Sequence, residues 1–375
     1  MPHPRIEQAD ALHTPDGSAA ASGYRMPAEW APHSAIWLTP PHNVETWPVV
    51  MDKAVAQFEA WVEQMRHYVP LCTTQAMNIS TNDSWIRDYG PIFVVAERGQ
   101  EAKGPRGQVG KATDQSANHS TPGSLDPSAP LLALHDFHFN GWGGKYEHRD
   151  QDDVVPQHIA RQLELPVWVH DFVLEGGSID VNGAGTVLTT EQCLLNPNRN
   201  PGFSREQIEA RLHNALGTRR VIWLPGGIEG DDTDGHIDDI ARFIAPDTVA
   251  ASRAAQTHPD HAMLERNWSA LQQARDQDDH KLKLVELPVP ETITFDYPAD
   301  RFGPGGPAPL PASYANFLIT NGAVFVPTFG QATDDRALRT LDDAMPGHTI
   351  LPVRSEWLVV GLGALHCLSQ QQPAG

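Results

Sequence analysis

The sequence predicts an α/β fold in which about five ββαβ units are arranged radially as a propeller. Strand–turn–strand patterns recur along the chain, and two of them carry Asn-Gly at the turn, a common hairpin signal. A helical pattern and one further strand follow in the same order. A unit of this size cannot bury its own apolar face, so the copies must pack together. The alternative is an ordinary three-layer α/β sheet, although hairpins fit a purely parallel sheet poorly.

Two units are complete in the sequence. Residues 178–190 (SIDVNGAGTVLTT) predict a hairpin, and a strand is predicted at residues 219–224. Between them the sequence predicts a helix that begins at the N-cap Ser204 and stops at Gly217. The same order of hairpin, helix and strand recurs at residues 315–327, 334–345 and 349–353.

The other three units are less regular. A third copy is predicted as hairpin, helix and strand at residues 236–252, 261–276 and 281–289. Two further units are predicted from strands near residues 34–40, 92–95 and 131–139 and from a helix between Trp47 and His67. In a radial arrangement the centre collects loops from every unit, so residues distant in sequence would meet in one site.

Low-complexity segments delimit one domain. Residues 1–23 have no apolar core and predict a disordered tail, and the polar Gly/Ser/Pro-rich residues 97–130 predict a flexible insertion. Residues 301–312 predict a second loop of the same kind. No change in sequence character flanks these segments, so residues 24–371 are assigned to a single α/β domain.

Composition excludes several classes of protein. Acids outnumber bases 47 to 27, giving a formal charge of −20, which argues against nucleic-acid binding. The acidic balance suits either a cationic substrate or simple solubility. Three scattered cysteines are not a disulfide framework and indicate a reducing, cytoplasmic compartment. No apolar run approaches the roughly 20 residues of a membrane span, so no membrane partner is expected.

The segment DDTDGHIDD (residues 231–239) places His236 among five aspartates. Acids at this density need a cation nearby, which could be a metal, the histidine or a ligand. The calcium-loop spacing fails, because its first position is Gly230 and its last is Ala241. Zinc would need more ligands, and only His366 and Cys367 could supply them. No metal is therefore expected, and an acid-rich solvated turn is the plain alternative.

Other segments are ordinary when taken singly. Asp88 follows Trp85 in NDSWIRDYGPIF, Trp142 lies in the glycine-rich NGWGGKY, and Glu175 precedes two glycines in LEGGSID. Cys367 follows a glycine-rich turn in GLGALHC, where glycines indicate a close backbone approach. Cys72 and Cys193 have apolar or strand surroundings and are interpreted as inert.

Together these segments resemble a known family. RDYGP, FNGWGGKY, LEGGSIDVNG, NPNRNP, WLPGGIEGDDTDGHIDD, SYANFLITNG and GALHCLSQQQP occur in this order. They resemble the agmatine deiminase branch of the guanidine-modifying, or pentein, superfamily, to which the bacterial-type peptidylarginine deiminases are related. The resemblance covers roughly residues 24–371 apart from the insertion. It implies a five-bladed α/β propeller, in agreement with the repeat count.

The resemblance implies metal-free and cofactor-free hydrolysis of a guanidinium C–N bond through a covalent thiouronium intermediate. Asp88 and Asp238 match the aspartates that hold the guanidinium, and such carboxylates can take its N–H groups in bidentate fashion. Cys367 matches the nucleophile. His236 matches the residue that protonates ammonia and then activates water. Glu175 would either position His236 or share a guanidinium hydrogen bond.

The expected substrate is agmatine, converted to N-carbamoylputrescine and ammonia in arginine and polyamine metabolism. Asp232 lies where agmatine deiminases carry an acid, four residues before the histidine, and would receive the distal ammonium. Trp85 and Trp142 could flank the aliphatic chain. No base lies within five residues of His236 or Cys367 to receive an α-carboxylate. Peptidylarginine is the alternative substrate, an amidinotransferase and a non-catalytic binding protein are the alternative classes, and a homo-oligomer is left open.

Overall fold

Five small sheets of the protein share one order of strands. The computed structural model describes residues 12–96, 132–299 and 305–374. In each of these sheets an antiparallel pair of strands is followed, after a helical connection, by a third strand parallel to the second. The sheets are β18–β2–β3, β4–β5–β6 with β1 at its edge, β7–β8–β9, β10–β11–β12 and β15–β16–β17, and β13–β14 is a separate hairpin.

The strands are β1 (Tyr24–Arg25), β2 (His33–Leu38), β3 (Leu71–Thr73), β4 (Ile92–Ala96), β5 (Leu132–His138), β6 (Val167–Val173), β7 (Asp180–Val181), β8 (Thr186–Thr190), β9 (Arg220–Leu224), β10 (Ala241–Ala245), β11 (Thr248–Arg253), β12 (Lys283–Pro288), β13 (Thr294–Tyr297), β14 (Gly306–Pro309), β15 (Leu318–Thr320), β16 (Ala323–Thr328), β17 (Thr349–Arg354) and β18 (Ser369–Pro373). The helices are α1 (Met51–Met65), α2 (Ile86–Tyr89), α3 (Gly141–Gly144), α4 (Val155–Leu163), α5 (Glu191–Leu194), α6 (Arg205–Leu216), α7 (His261–Gln273) and α8 (Asp334–Ala344). Among the helices of the described ranges, none is both long and apolar enough to cross a bilayer.

Local signals in the sequence explain where the elements begin and end. Before α6, the Ser204 side chain accepts from the backbone N–H of Gln207, and the Gln207 side-chain oxygen accepts from the backbone N–H of Ser204, forming a capping box. Gly217 ends the helix with φ of 67°, a conformation that costs glycine little. Every residue of β8 and β16 is buried, as expected for middle strands covered on both faces.

The predicted repeat is confirmed in its order of hairpins, helices and parallel strands. The C-terminal strand β18 was not predicted; it pairs with β2 and joins the two ends of the chain in one sheet. Part of the predicted second loop is β14, paired with β13, whereas residues 300–304 lie outside the described residues. The predicted insertion at residues 97–130 also lies outside them.

The boundary of the predicted N-terminal tail needs correction. Residues 1–11 lie outside the described residues, but residues 12–23 pack against the body. Ala19 is buried, and the backbone N–H of Val167 donates to the carbonyl of His13 at 2.9 Å. Small side chains in this segment allow close packing, so the ordered chain begins before residue 24.

In each of the five sheets, a residue of the candidate site lies just before the first strand of the antiparallel pair. Asp88 lies shortly before β4, Gly177 before β7, Asp238 before β10, Asn316 before β15 and Cys367 before β18. Each of these strands is the first of its antiparallel pair. The repeat therefore presents one short segment per unit to a common site, although the segments are up to 279 residues apart in sequence, as the hydrogen bond from Arg87 Nε to the carbonyl of His366 shows.

Candidate active site

A cavity of about 790 Å³ brings together residues that are far apart in sequence. Five of the predicted site residues line it: Trp85, Asp88, Trp142, Asp232 and Cys367. The other three are fully buried at the same place: Glu175, His236 and Asp238. All the residues predicted from sequence therefore belong to one site, with an open and a buried part.

The Cys367 thiol lies between an amide donor and a carboxylate. Asn316 Nδ2 donates to the Cys367 Sγ at 3.0 Å, and the Sγ lies 3.6 Å from Oδ2 of Asp238. Burial raises the pKa of the Cys367 thiol well above its ordinary value, and the carboxylates of Asp238, Asp239 and Asp88 raise it further. A neutral thiol is thus favoured until a cation enters the site.

The glycine-rich turn before Cys367 has a steric reason. A Cβ on Gly363 would lie 2.5 Å from the Trp85 ring and 3.0 Å from the Cβ of Cys367. The Trp85 ring in turn packs against Trp47, with 5.2 Å between ring centroids. The missing side chain therefore lets the tryptophan wall approach the thiol closely, as the sequence suggested.

Asp88 is held by neutral donors. The indole Nε1 of Trp142 donates to its Oδ2 at 2.9 Å, and the backbone N–H of Gly177 donates to its Oδ1 at 3.1 Å. Trp142 has a left-handed backbone (φ 51°) within its glycine-rich turn, which aims the indole inward. Burial raises the pKa of the Asp88 carboxyl to about 6, although the nearby His236 lowers it in part.

Gly177, the second glycine of the EGG motif, lies where several site residues converge. A Cβ at this position would lie 2.6 Å from His236 Nδ1, 2.7 Å from Asp88 Oδ1 and 3.2 Å from Asp238 Oδ2. A Cβ on Gly176 would lie 2.2 Å from the carbonyl oxygen of Arg87. Two glycines are thus required so that this backbone can pass between the side chains of the candidate site.

His236 faces carboxylates with its ring fully buried. Its Nδ1 lies 3.5 Å from Oδ1 of Asp88. Burial alone lowers the pKa of His236, but the Asp88 carboxylate outweighs burial and the net pKa is raised well above its ordinary value. The expectation of an extended strand here was wrong, because Ile237–Asp239 form a 3₁₀ turn. Gly235, with φ of 86°, makes the tight turn before it.

Glu175 and Arg199 form a buried ion pair that reaches the turn before His236. Arg199 Nε donates to Glu175 Oε1 at 2.7 Å, and both side chains are fully buried. The same guanidinium donates to the Thr233 carbonyl at 2.7 Å and to the Asp234 carboxylate. The Arg199 guanidinium thus fixes Glu175 relative to His236 and offsets part of the negative charge of DDTDGHIDD.

Asp238 is held by an ionisable partner. His366 Nδ1 lies 2.7 Å from Oδ2 of Asp238, and His366 Nε2 lies 2.8 Å from Oε2 of Glu29. Burial raises the pKa of the Asp238 carboxyl, but the His366 hydrogen bond and charge outweigh burial, and the net pKa is lowered. His366 therefore contacts a carboxylate at each ring nitrogen, beside the thiol of the next residue.

Several buried polar atoms of the site are unpaired. Within the described ranges, Glu175 Oε2, Asp238 Oδ1 and both ring nitrogens of His236 have no hydrogen-bond partner, although all are buried. Unpaired buried acceptors cost free energy, so they are rare unless a ligand completes them. The two unpaired carboxylate oxygens, Glu175 Oε2 and Asp238 Oδ1, thus lack hydrogen-bond donors.

Asp232 lies at the open part of the cavity and already has partners. The Tyr146 hydroxyl donates to its Oδ2 at 2.6 Å, and Lys145 Nζ lies 3.4 Å from its Oδ1. Arg149 also lines the cavity. The local search for a base near His236 and Cys367 therefore missed cations that a separate loop brings to the site.

The sequence reasoning also missed four residues close to the reacting groups: Asn316, His366, Cys193 and Arg199. Asn316 and Arg199 lie inside the quoted motifs SYANFLITNG and NPNRNP, so those motifs were the available signal. Cys193 is fully buried, as the inert interpretation predicts, and its Sγ and atoms of Glu175 and His236 lie within 4.8 Å of one another. The short helix α5, which the sequence did not predict, places Cys193 beside Glu175 and His236.

Among the described residues, two trios have the spacing of metal ligands: Glu175–Cys193–His236 and Asp238–Asp239–Cys367. Both are buried, and each has a member that already contacts another side chain of the protein. Arg199 already pairs with Glu175, and His366 already contacts Asp238. Spacing alone therefore does not distinguish an ion from a substrate cation at these atoms.

Comparison with known proteins gives consistent relatives. Residues 25–373 match the Porphyromonas-type peptidyl-arginine deiminase family. An agmatine deiminase of Medicago truncatula is 37% identical over 386 residues, covering 94% of this chain and 97% of that protein. An agmatine deiminase of Stutzerimonas stutzeri is 34% identical over 390 residues, covering 94% and 96%.

A solved structure is also similar. Agmatine deiminase of Enterococcus faecalis superposes with a TM-score of 0.84 at 30% identity, covering 97% of this chain and 99% of that one. The two chains therefore share an α/β fold over nearly their whole length.

Proposed function

The chain belongs to the Porphyromonas-type peptidyl-arginine deiminase family, and from this membership we propose that it hydrolyses agmatine to N-carbamoylputrescine and ammonia. Relatives at 37% and 34% identity over nearly the full chain are agmatine deiminases. The reaction class is hydrolysis of a guanidine C–N bond. The residues that the resemblance assigns to this chemistry are together in one site.

The observation that carries the proposal is the set of unpaired buried acceptors. Glu175 Oε2 and Asp238 Oδ1 need hydrogen-bond donors, and the site has an excess of negative charge. A guanidinium is a planar cation with several N–H donors and no acceptor, so it supplies what is missing. Asp88 lies at the cavity wall, where it would take further N–H groups of the same cation.

The proposed chemistry follows from the same charges. A bound guanidinium offsets the carboxylates that raise the pKa of Cys367, and its arrival therefore favours loss of the thiol proton to water and formation of the thiolate. The thiolate forms a C–S bond to the guanidinium carbon, and one C–N bond breaks as ammonia leaves with a proton from His236. Water then attacks the thiouronium carbon, gives a proton to His236, and releases the ureido product and the thiol.

The distal end of the substrate is proposed to lie near Asp232. Asp232, Tyr146 and Trp85 line the cavity that contains Cys367. A primary ammonium there would share the Asp232 carboxylate with Lys145, while an arginine α-carboxylate could be received by Arg149. Agmatine is favoured because the relatives are agmatine deiminases, and the local charges by themselves leave a place for either end group.

We extend the proposal to the architecture. The five sheets are proposed to close into a five-bladed propeller, supported by the equivalent position of the site segment in each unit. Residues 24–371 would form its single catalytic domain with an insertion at residues 97–130. A cytoplasmic location, a role in putrescine formation, independence of metal and cofactor, and self-association remain part of the proposal.

An ammonia-release assay tests the function. Purified protein is given agmatine, L-arginine and a blocked peptidylarginine, and the product is identified by mass spectrometry. We expect the highest kcat/KM with agmatine and a ureido product. Faster turnover of peptidylarginine would assign the chain to the other branch, an amidino group transferred to an added amine would identify an amidinotransferase, and binding without turnover would identify a binding protein.

A further inference from the structure

The His366 side chain contacts both Glu29, which lies between β1 and β2, and Asp238 of the candidate active site. Its Nε2 lies 2.8 Å from Glu29 Oε2, and its Nδ1 lies 2.7 Å from Asp238 Oδ2. The three side chains are almost completely buried. Neither the family resemblance nor the proposed reaction assigns a role to Glu29 or His366.

The hydrogen bonds define how many protons this cluster holds. An ionised carboxylate only accepts hydrogen bonds, and a neutral imidazole has one N–H, so its other nitrogen would face a carboxylate oxygen lone pair. Glu29 is held ionised: the Arg242 guanidinium donates to Oε2 at 2.6 Å and the Ile319 backbone N–H donates to Oε1 at 2.8 Å. With Asp238 also ionised, both nitrogens of His366 must carry a hydrogen.

The second consequence concerns which oxygen of Asp238 stays available. Its Oδ2 is engaged by His366 and contacts the Cys367 thiol, whereas Oδ1 has no partner within the described residues. His366 is itself fixed, because Asn316 Oδ1 accepts from its backbone N–H at 3.0 Å and Arg87 Nε donates to its carbonyl at 3.2 Å. The His366 imidazole therefore holds Oδ2 of Asp238 in place and leaves Oδ1 available to accept a hydrogen bond.

We propose that His366 is a buried imidazolium that acts as a positioning residue, fixing the Asp238 carboxylate in its ionised form with Oδ1 turned toward the substrate guanidinium. The part that concerns the substrate rests on the proposed function. The part that concerns the charge of His366 rests on the hydrogen-bond geometry and on the ionised state of Glu29 and Asp238, and does not depend on the substrate. The residue acts through Asp238.

The charge is tested without substrate. Protein labelled with ¹⁵N-histidine is measured by NMR at pH 7, and the His366 signals are assigned by their loss in His366→Asn. We expect hydrogens on both ring nitrogens. His33 is a matched control, because it is also buried, and burial lowers its pKa to about 4, so it should be neutral at pH 7. A neutral His366 would overturn the proposal.

The positioning role is tested by two isosteric variants. The amide nitrogen of Asn can take the place of Nδ1 and still donate to Asp238, whereas that of Gln takes the place of Nε2 and donates to Glu29. If His366 acts through Asp238, His366→Gln should lose about 100-fold in kcat/KM for agmatine, and His366→Asn about tenfold, since it loses the charge but keeps that hydrogen bond. A merely structural role predicts equal losses, or a greater loss in Asn, in step with the melting temperature.

The two failures are distinguishable. If wild-type protein releases no ammonia from any guanidine, the proposed function fails, and the NMR result still decides the charge of His366. If wild-type protein is active and His366→Asn is no better than His366→Gln, the positioning role fails while the function stands. Melting temperatures and circular dichroism of both variants separate lost folding from lost activity.

Discussion

Two carboxylates that both lie close to Gly177, Asp88 and Asp238, have the same proposed task and opposite electrostatics. Asp88 accepts hydrogen bonds from an indole and a backbone amide, both neutral, and burial raises its pKa to about 6. Asp238 is equally buried, yet its pKa is lowered because His366 opposes the effect of burial. The partner, rather than the depth of burial, decides which carboxylate is firmly ionised.

This difference suggests a division of labour. Asp238 provides a permanent negative charge, and its unpaired Oδ1 can receive the first N–H of a guanidinium. Asp88 is ionised at neutral pH but can accept a proton at modest cost, and it lies 3.5 Å from the ring of His236. Asp238 would thus anchor the substrate cation, while Asp88 would stay close to His236, the proposed proton-transfer residue.

The largest expected effect comes from removing the Cys367 thiol, whose pKa both carboxylates raise. Cys367→Ser should lower kcat for agmatine by at least about 10³-fold and leave the melting temperature nearly unchanged, because a hydroxyl is a far weaker nucleophile. Cys72→Ser is the matched control, since that half-buried cysteine is outside the cavity lining. Retention of a tenth of wild-type activity in Cys367→Ser would rule out the covalent mechanism.

The comparison itself is tested by neutralising each carboxylate. Asp238→Asn should lower kcat/KM by more than 100-fold, corresponding to about 3 kcal/mol, because it also removes one of the two carboxylates that contact the buried His366. Asp88→Asn should cost less, about 30-fold, since its oxygen can still accept the Gly177 N–H. Steady-state kinetics and thermal melts of both variants give the ranking, and a reversed order would contradict the division of labour.

Most of the fold and site could be predicted because both depend on local signals. Asn-Gly turns, the Ser204 cap and Gly217 fix hairpins and helix ends within a few residues. The site segments carry recognisable motifs. Strand β18 escaped prediction because SQQQP has no apolar alternation, and its place depends on pairing with β2, more than 300 residues away.

The hydrogen-bond and ion-pair partners of the candidate site residues could not be predicted for a similar reason. Glu29 reaches His366 across 337 residues, and Lys145 reaches Asp232 across 87. Nothing near Glu29 in the sequence distinguishes it from an exposed acid. Which charges are paired depends on how the sheets pack, and that information is spread over the whole chain.

The pH dependence gives a more moderate effect. The pKa of Asp88 is raised from 3.8 to about 6, so kcat/KM for agmatine should fall with a one-proton slope as pH drops below about 6. The neutral carboxyl also favours folding: that stabilisation is complete below pH 3.8 and is lost as pH rises through about 6. Melting temperatures measured from pH 3.5 to 7 should show this loss.

Two variants sharpen that pH prediction. Trp142→Phe removes the indole hydrogen bond from Asp88 and should move the acid limb of kcat/KM to higher pH. Asp88→Asn should abolish the limb and make the melting profile less steep between pH 4 and 6, where Asp83, whose pKa burial also raises to about 6, still contributes. An unchanged limb in Asp88→Asn would assign the titration to another group.

A smaller effect is expected at the distal end of the cavity. Asp232→Asn should weaken agmatine use by about 1 kcal/mol, or roughly fivefold in kcat/KM, because the carboxylate is partly exposed and shares its charge with Lys145. L-arginine should be affected less, so the preference narrows. Tyr146→Phe is the control for the turn, since it removes only the hydroxyl that bonds Asp232. Equal losses for both substrates would indicate that Asp232 only holds the turn.

The smallest expected effect is that of removing metal. The two trios with ligand spacing have cationic partners within the protein, since Arg199 pairs with Glu175 at 2.7 Å and His366 lies 2.7 Å from Asp238. Asp88 faces the ring of His236, whose pKa is raised well above its ordinary value. A divalent ion would have to displace these cations and strip the buried carboxylates of hydrogen bonds, at a cost that a substrate guanidinium avoids.

Prolonged EDTA treatment should therefore leave kcat/KM for agmatine unchanged, and metal analysis should find less than one ion per chain. Inactivation by EDTA that added zinc or calcium reverses would instead make one of the trios a metal site, and the contrast between Asp88 and Asp238 would then need to be explained by the ion.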